Sequence, residues 1–254
     1  MPGLKPLKPA NIIYTYDGSL PGFLCCVFES VYSAELPLDI VFENTFMTLL
    51  DTKFIKTDHG HAERVRTSIA KISQRALDLV FTVFLSCLVQ KEMKLLEFLL
   101  LAYKEGAKLL YKLGDPVVAP LLAAEKHLLK EAYLLRGFVR FADVGGGLVA
   151  TITPKNYVLP FFANHFTLRY SQENFMIFDK THSAALVYQG GKSEIVSIEH
   201  LELPETSEKE VKYQSLWKRF YDTIAIEGRE NPRCRMTHMP KRYWENMLEV
   251  RDLL

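Results

Sequence analysis

The chain has 254 residues, 48% of them hydrophobic and 24% charged. That balance excludes a disordered or fibrous chain and leaves ample apolar material for a buried core. Its 31 Lys and Arg residues face 30 Asp and Glu, so no chain-wide field draws in a polyanion, and any nucleic-acid contact must come from a local patch.

The first ten residues contain prolines and lysines without an apolar run, which does not make a signal peptide. Asn11–Tyr16 (NIIYTY) is β-branched and aromatic and predicts a strand. Asp17-Gly18-Ser19 is a turn, with Ser19 placed to cap a helix that carries Pro21 in its first turn. From Gly22 to Ser33 the apolar residues Phe23, Val27 and Val31 recur at helical spacing. Leu38 to Thr57 predicts two or three short extended segments, Lys53–Thr57 the clearest.

Asp58 or Gly60 then opens a helical block reaching about Arg136. Its first helix sets Val65, Ile69, Ile72 and Ala76 on one face and Arg64, Arg66, Lys71 and Arg75 on the other. Leu77–Val89 and Lys91–Leu113 are strongly apolar but too short or too interrupted to span a bilayer, and they predict core helices. Gly114-Asp115-Pro116 interrupts the pattern before a helix over Val117–Leu135.

At Gly137 the period changes. Phe138–Ala142 and Leu148–Thr153 flank Asp143–Gly147 and predict a β-hairpin with a glycine tip. Asn156–Tyr170 predicts a helix. Asn174–Asp179, Ala184–Gln189 and Glu194–Ile198 predict strands, Thr206–Gly228 a helix, and Pro240 to about Leu253 a last helix. The expected fold class is therefore α+β: a helical central block plus an antiparallel β-meander with flanking helices, not alternating βαβ units. We expect one compact unit over 1–254, with subdomains 11–136 and 137–254.

No stretch names a reaction. Cys25, Cys26, Cys87 and Cys234 have neither a CxxC pair nor zinc spacing and predict buried, reduced thiols. His59 and His61 are two apart and would diverge on a helix, so they suit a solvent-facing helix start and not a metal site. Gly145-Gly146-Gly147 lacks the ending of a phosphate loop. His165 lies four residues from Arg169, a spacing that suits phosphate binding or acid catalysis and equally a structural histidine. Asp179 and His182 are three apart at a turn and could share a proton, and no serine or second carboxylate completes a triad. With Asp17 these are the weak catalytic candidates. No metal or cofactor is expected.

The segment from Trp217 to Trp244 interleaves cations with aromatics. Trp217, Phe220, Tyr221 and Ile224 recur at helical spacing and are expected in the core. Glu227–Pro240 is expected to be a loop. Across it and the start of the last helix fall Arg229, Arg233, Arg235, His238, Lys241 and Arg242, suited to phosphates, to a solvated surface or to a protein partner. Tyr243 and Trp244 are the expected base-stacking rings.

Together Tyr16–Ser19, Gly22–Cys25, Phe138–Phe141, Tyr157–Pro160, Asn164–Phe166, Phe175–Lys180, Phe220–Ile226, His238–Pro240 and Tyr243-Trp244 resemble a bacterial family described as probable DNA metabolism proteins. Members are encoded beside a radical SAM protein assigned to DNA modification or repair, and some are fused to a uracil-DNA glycosylase-like domain. This chain, ending at Leu254, reads as the form without that domain. The family supplies no catalytic residues to carry over, and the four cysteines lack radical SAM spacing. The resemblance implies a cytoplasmic DNA-binding accessory protein with DNA and a radical SAM iron–sulfur protein as partners and no membrane. The alternatives are an enzyme acting on damaged or modified nucleotides, with Asp17, His165, Asp179 and His182 in one pocket, and a scaffold without DNA contact.

Overall fold

The computed structural model describes residues 7–43, 49–199, 201–202, 207–226 and 231–253. The chain divides into two compact units, Met1–Leu128 and Leu129–Leu254. Helices and mixed sheets make the fold α+β.

In the first unit β1 (Lys8–Pro9) leads into β2 (Ile12–Tyr16), the predicted strand. Helix α1 (Leu20–Ser33) follows, with the Ser19 side chain accepting the Gly22 N–H as predicted and Pro21 in the first turn. β3 (Glu35–Leu36), β4 (Asp39–Phe42) and β5 (Asp51–Phe54) come next. β4 and β5 flank β2, and both pair with it in parallel. A helix between neighbouring strands returns the chain to its starting end, so β2, α1 and β4 form a crossover unit. Residues past the ends of β2 and β5 meet: Thr57 Oγ1 donates to Asp17 Oδ2 at 2.6 Å.

The helical block is α2 (His59–Ile72), α3 (Gln74–Phe84), α4 (Lys91–Glu105), a 3-10 turn at Gly106–Tyr111, and α5 (Val118–Phe138). Asp58 caps α2 by accepting the His61 N–H at 2.7 Å. Its buried face carries Ala62, Val65 and Ile69, as the spacing predicts. The helix expected over Leu77–Val89 stops at Phe84, and the long one over Lys91–Leu113 changes to 3-10 at Gly106. Gly106 has φ 75°, which an α-helix interior does not accommodate. Leu79, Val80, Leu95, Leu96, Phe98 and Leu99 are among the fully buried residues of the core they share with α1. Among the described residues no helix is long and apolar enough to cross a membrane.

In the second unit five strands run in the order β10-β9-β8-β7-β6. They are β6 (Ala142–Val144), β7 (Gly147–Ile152), β8 (Phe175–Asp179), β9 (Ala184–Gln189) and β10 (Lys192–Ser197), with α6 (Leu159–Arg169) between β7 and β8. The β6–β7 tip places Gly145 (φ 62°) and Gly146 (φ 89°) between the paired residues Val144 and Gly147. Two successive positive φ angles are what a tight hairpin turn demands. The sheet is not a wholly antiparallel meander, because β7 and β8 pair in parallel. The reason is α6, which carries the chain back along the sheet before β8 begins.

Alternate residues of these strands bury one face. Ala150 and Ile152 of β7, Phe175 and Ile177 of β8, and Leu186 and Tyr188 of β9 pack against Leu159, Phe162 and Phe166 of α6. Tyr243, Trp244, Met247 and Val250 complete that core. The C-terminal region differs from expectation. After α7 (Glu208–Ile224), part of the expected loop is a short helix, α8 (Pro232–His238). Pro232 opens it and Asn231 caps it by accepting the Cys234 N–H. The expected last helix is two 3-10 turns, Lys241–Asn246 and Arg251–Leu253.

One buried carboxylate organises this unit. Glu131 of α5 accepts from Asn156 N–H (2.8 Å), Lys155 N–H (3.2 Å), the Tyr243 hydroxyl (2.8 Å) and Arg242 Nη2 (3.0 Å). Burial pushes the Glu131 carboxyl up, but these donors outweigh it and hold it below the usual range. A depressed carboxylate adds stability that is complete above the ordinary Glu value and is lost as pH falls through the folded-state value. Glu131→Gln is therefore expected to cost about 1.5–3 kcal/mol at neutral pH. It should also lessen the loss of stability on acidification below about pH 4.3, the ordinary Glu value. Urea melts across pH 3–7 check both. The two tryptophans divide just as clearly: Trp244 is 5% exposed and Trp217 40%. Trp244→Ala should cost about 3–5 kcal/mol and Trp217→Ala, which removes a hydrogen bond to Glu249, less, about 1.5–3 kcal/mol, read from the same melts.

Candidate functional site

An apolar stripe open to solvent lies on α7. Tyr213, Trp217, Phe220 and Ile224 follow one another at helical spacing and are 40–58% exposed. For Trp217, Phe220 and Ile224 this corrects the expectation that they belong to the core. Only Glu210 of this helix is buried, while Tyr221, four residues on from Trp217 at the edge of the stripe, packs partly against the core. The expectation for Tyr243 and Trp244 reverses as well. They are 1% and 5% exposed, so neither offers a ring face to a base. The burial of Tyr243 follows from its hydroxyl, which Glu131 draws inward, and Trp244 Nε1 is satisfied by the Met239 carbonyl at 2.9 Å.

Tyr213, Trp217 and Phe220 of this stripe line a cleft of about 920 Å³ within the second unit. Its other walls come from the end of α5 and the residues after it (Arg136, Arg140, Phe141) and from α6 and its end (His165, Phe166, Arg169, Tyr170). Arg136 Nη2 donates to the Phe161 carbonyl at 2.7 Å, and its Nε has no hydrogen-bond partner among the described residues. Arg169 is exposed and lies over the Tyr170 ring at 5.8 Å. Arg140 pairs with Glu249, which also accepts the Trp217 indole N–H at 3.1 Å. The Arg140 guanidinium sits 5.7 Å from the Trp217 ring centre, so the indole is held both at its edge and at its face. Glu210 is the acid of the lining. It accepts from the Asp143 N–H and from Gln214.

His165 reports the potential in the cleft. Burial, then the Arg136 and Arg169 guanidinium groups, lowers its pKa below the ordinary histidine value. The two guanidinium groups beside it are what would favour a negative charge at this place.

The remaining sequence candidates fall elsewhere. Asp17, in the first unit, accepts from the Ser19 N–H (2.9 Å), the Ser19 hydroxyl and Thr57. Burial works against its ionisation, yet these donors hold the carboxyl below the usual range. They also leave it engaged in turn and cap structure. Gly22 is required beside it, since a Cβ there would lie 2.3 Å from Asp17 Oδ1. Asp179 and His182 do meet, Nδ1 to Oδ2 at 2.7 Å, as their spacing allows. Asp179 is fully buried and accepts the Thr181 and His182 N–H groups, so the pair closes the β8–β9 turn. Tyr157 packs edge-on to His182. Neither Asp179 nor His182 lines the cleft that holds His165.

Arg229 lies outside the described residues. Arg233, Arg235 and His238 lie on α8, all exposed but Arg235, which is partly so. Lys241 sits over the Trp244 ring at 5.6 Å, and Arg242 is partly covered and tied to Glu131. Cys25 and Cys26 are buried, as expected, whereas Cys87 and Cys234 are exposed. Among the described residues no cluster of three or more His, Cys, Asp or Glu side chains is placed to hold a metal.

Sequence reasoning missed Arg136, Arg140 and Tyr213, and it assigned Trp217 and Phe220 to the core. The available signal was α7 itself. Outside its apolar stripe the helix is mostly charged or polar, with only Val211, Leu216 and Tyr221 apolar or aromatic, which marks a helix packed on little. Replacing Arg169 by Ala should raise the His165 pKa toward its ordinary value, seen in an NMR titration of the imidazole.

A family model described as a domain of unknown function, DUF4130, matches residues 89–249. That span contains every residue lining the cleft. No curated protein and no solved structure matches the chain.

Proposed function

The chain belongs to the DUF4130 family, and on that premise we propose that it is a DNA-binding accessory protein of a DNA repair or modification system, binding DNA through the cleft of its second unit. The observation that carries this reading is the exposed Tyr213–Trp217–Phe220 stripe facing Arg136 and Arg169 across one cleft. Guanidinium groups hold phosphates and exposed ring faces take bases, and a surface that serves both needs neither a metal nor a nucleophile. Arg233 and Arg235 of α8 add further guanidinium groups to the same unit. The resemblance to the DNA metabolism family supports DNA as the polyanion. It also supports a radical SAM iron–sulfur protein as the partner whose chemistry this protein would serve.

An enzyme acting on damaged nucleotides would need its polar residues gathered. His165 lies in the cleft and the Asp179–His182 pair does not, so the accessory reading is preferred.

Fluorescence anisotropy with labelled DNA over a salt series tests it. Affinity should fall as salt rises, because each neutralised phosphate releases counterions. Arg169→Ala with Arg136→Ala should weaken binding and flatten the salt slope by about one to two contacts. Absence of binding at low salt, or affinity unchanged in the double variant, would overturn the proposal.

A further inference from the structure

Resting on the DNA-binding reading, we infer that the cleft takes single-stranded DNA, with a base stacked on the Trp217 ring and the flanking phosphates on Arg136 and Arg169. Inside a duplex each base already stacks on its neighbours and offers no free face to a side chain. An aromatic ring can take a base only from a strand whose bases are splayed. Here the rings line the wall of the cleft, with Trp217 and Phe220 in contact at 5.8 Å between centres. A double helix, its bases already stacked on one another, would leave these rings unused.

The way Trp217 is held supports the assignment. A large exposed aromatic on a helix with little packing would be expected to swing among rotamers. This one is fixed by its N–H to Glu249, and Glu249 is fixed in turn by Arg140. The Glu249 carboxylate is 3% exposed. Burial pushes its pKa up, and Arg140 and Trp217 with the local backbone bring it below the usual range, so it stays ionised and keeps its hold. The buried ion pair thus orders an exposed ring, an arrangement of use to a ligand that needs a stacking platform. Across the cleft Arg169 is exposed, and Arg136 keeps for the strand the part of its guanidinium not given to the Phe161 carbonyl.

Two oligonucleotides separate this inference from the reading beneath it: a mixed-sequence single strand and its duplex, titrated side by side in one salt. The single strand should bind more tightly. It should also quench tryptophan emission, with the signal from Trp217 because the other tryptophan, Trp244, is buried. Trp217→Leu should weaken single-strand binding by roughly 5- to 150-fold, the range of one lost base–aromatic stack, and leave the weaker duplex binding within about twofold. Phe220→Leu, which keeps the Trp217–Glu249–Arg140 contacts, guards against a variant that merely disturbs the fold. It should reduce single-strand affinity while the melting temperature holds. Salt-dependent binding of both DNA forms with equal affinity, or a Trp217→Leu loss equal for the two, overturns the single-strand inference and leaves DNA binding standing. Binding of neither form overturns both.

Discussion

The second unit depends on a buried negative charge. Glu131 of α5 is 2% exposed, and an unpaired carboxylate there would not be tolerated. Its partners come from two distant parts of the chain: the backbone of Lys155 and Asn156, just before α6, and the side chains of Arg242 and Tyr243, more than a hundred residues on. Satisfying it therefore fixes where α6 begins and brings the C-terminal segment against the helix. Once Tyr243 is drawn in, Trp244, Met247 and Val250 follow into the same core. Asn246 adds a hydrogen bond to Thr153 at 3.3 Å.

The exposed stripe on α7 is a consequence of that arrangement. The buried face of the sheet and α6 is covered by aromatics of the C-terminal segment together with the ring cluster of Phe141, Phe166, Tyr170 and Phe175. α7 then contributes mainly Tyr221 to the core and keeps its other rings outside. The polar contacts Trp217 to Glu249 and Lys218 to Asp252 hold it near its middle and leave the stripe uncovered. A contiguous exposed apolar surface of this kind marks an interaction site more often than chance. The arginines opposite give it the character of a surface for a polyanion that also carries flat rings.

Two buried carboxylates thus do related work. Glu131 settles what is inside, and Glu249 settles how the exposed indole is presented. Both are held ionised by donors that outweigh burial, and both lose that hold on acidification. The first unit contains a comparable device on a smaller scale. Asp17 joins the turn after β2 to the residue beyond β5 through Thr57, and Gly22 leaves room for it at the start of α1.

Local chemistry made much of this legible in advance. Ser19, Pro21 and Asp58 marked the starts of α1 and α2 because a cap is satisfied within three residues. The Gly145-Gly146 tip and the alternation of Phe175, Ile177 and Leu186 marked hairpin and strands for the same local reason. Asp179 and His182 were readable as a pair, being three apart at a turn. Periodicity also identified the face shared by Trp217, Phe220 and Ile224. It could not say what that face meets, since a stripe of rings has the same spacing whether it lies against a core or against solvent. That choice was made far away, by Glu131 taking Tyr243 and so committing Trp244 to the interior. Sequence spacing determined which side chains travel together; the competition among distant segments for one buried face, decided only in the tertiary structure, determined which of them were left outside.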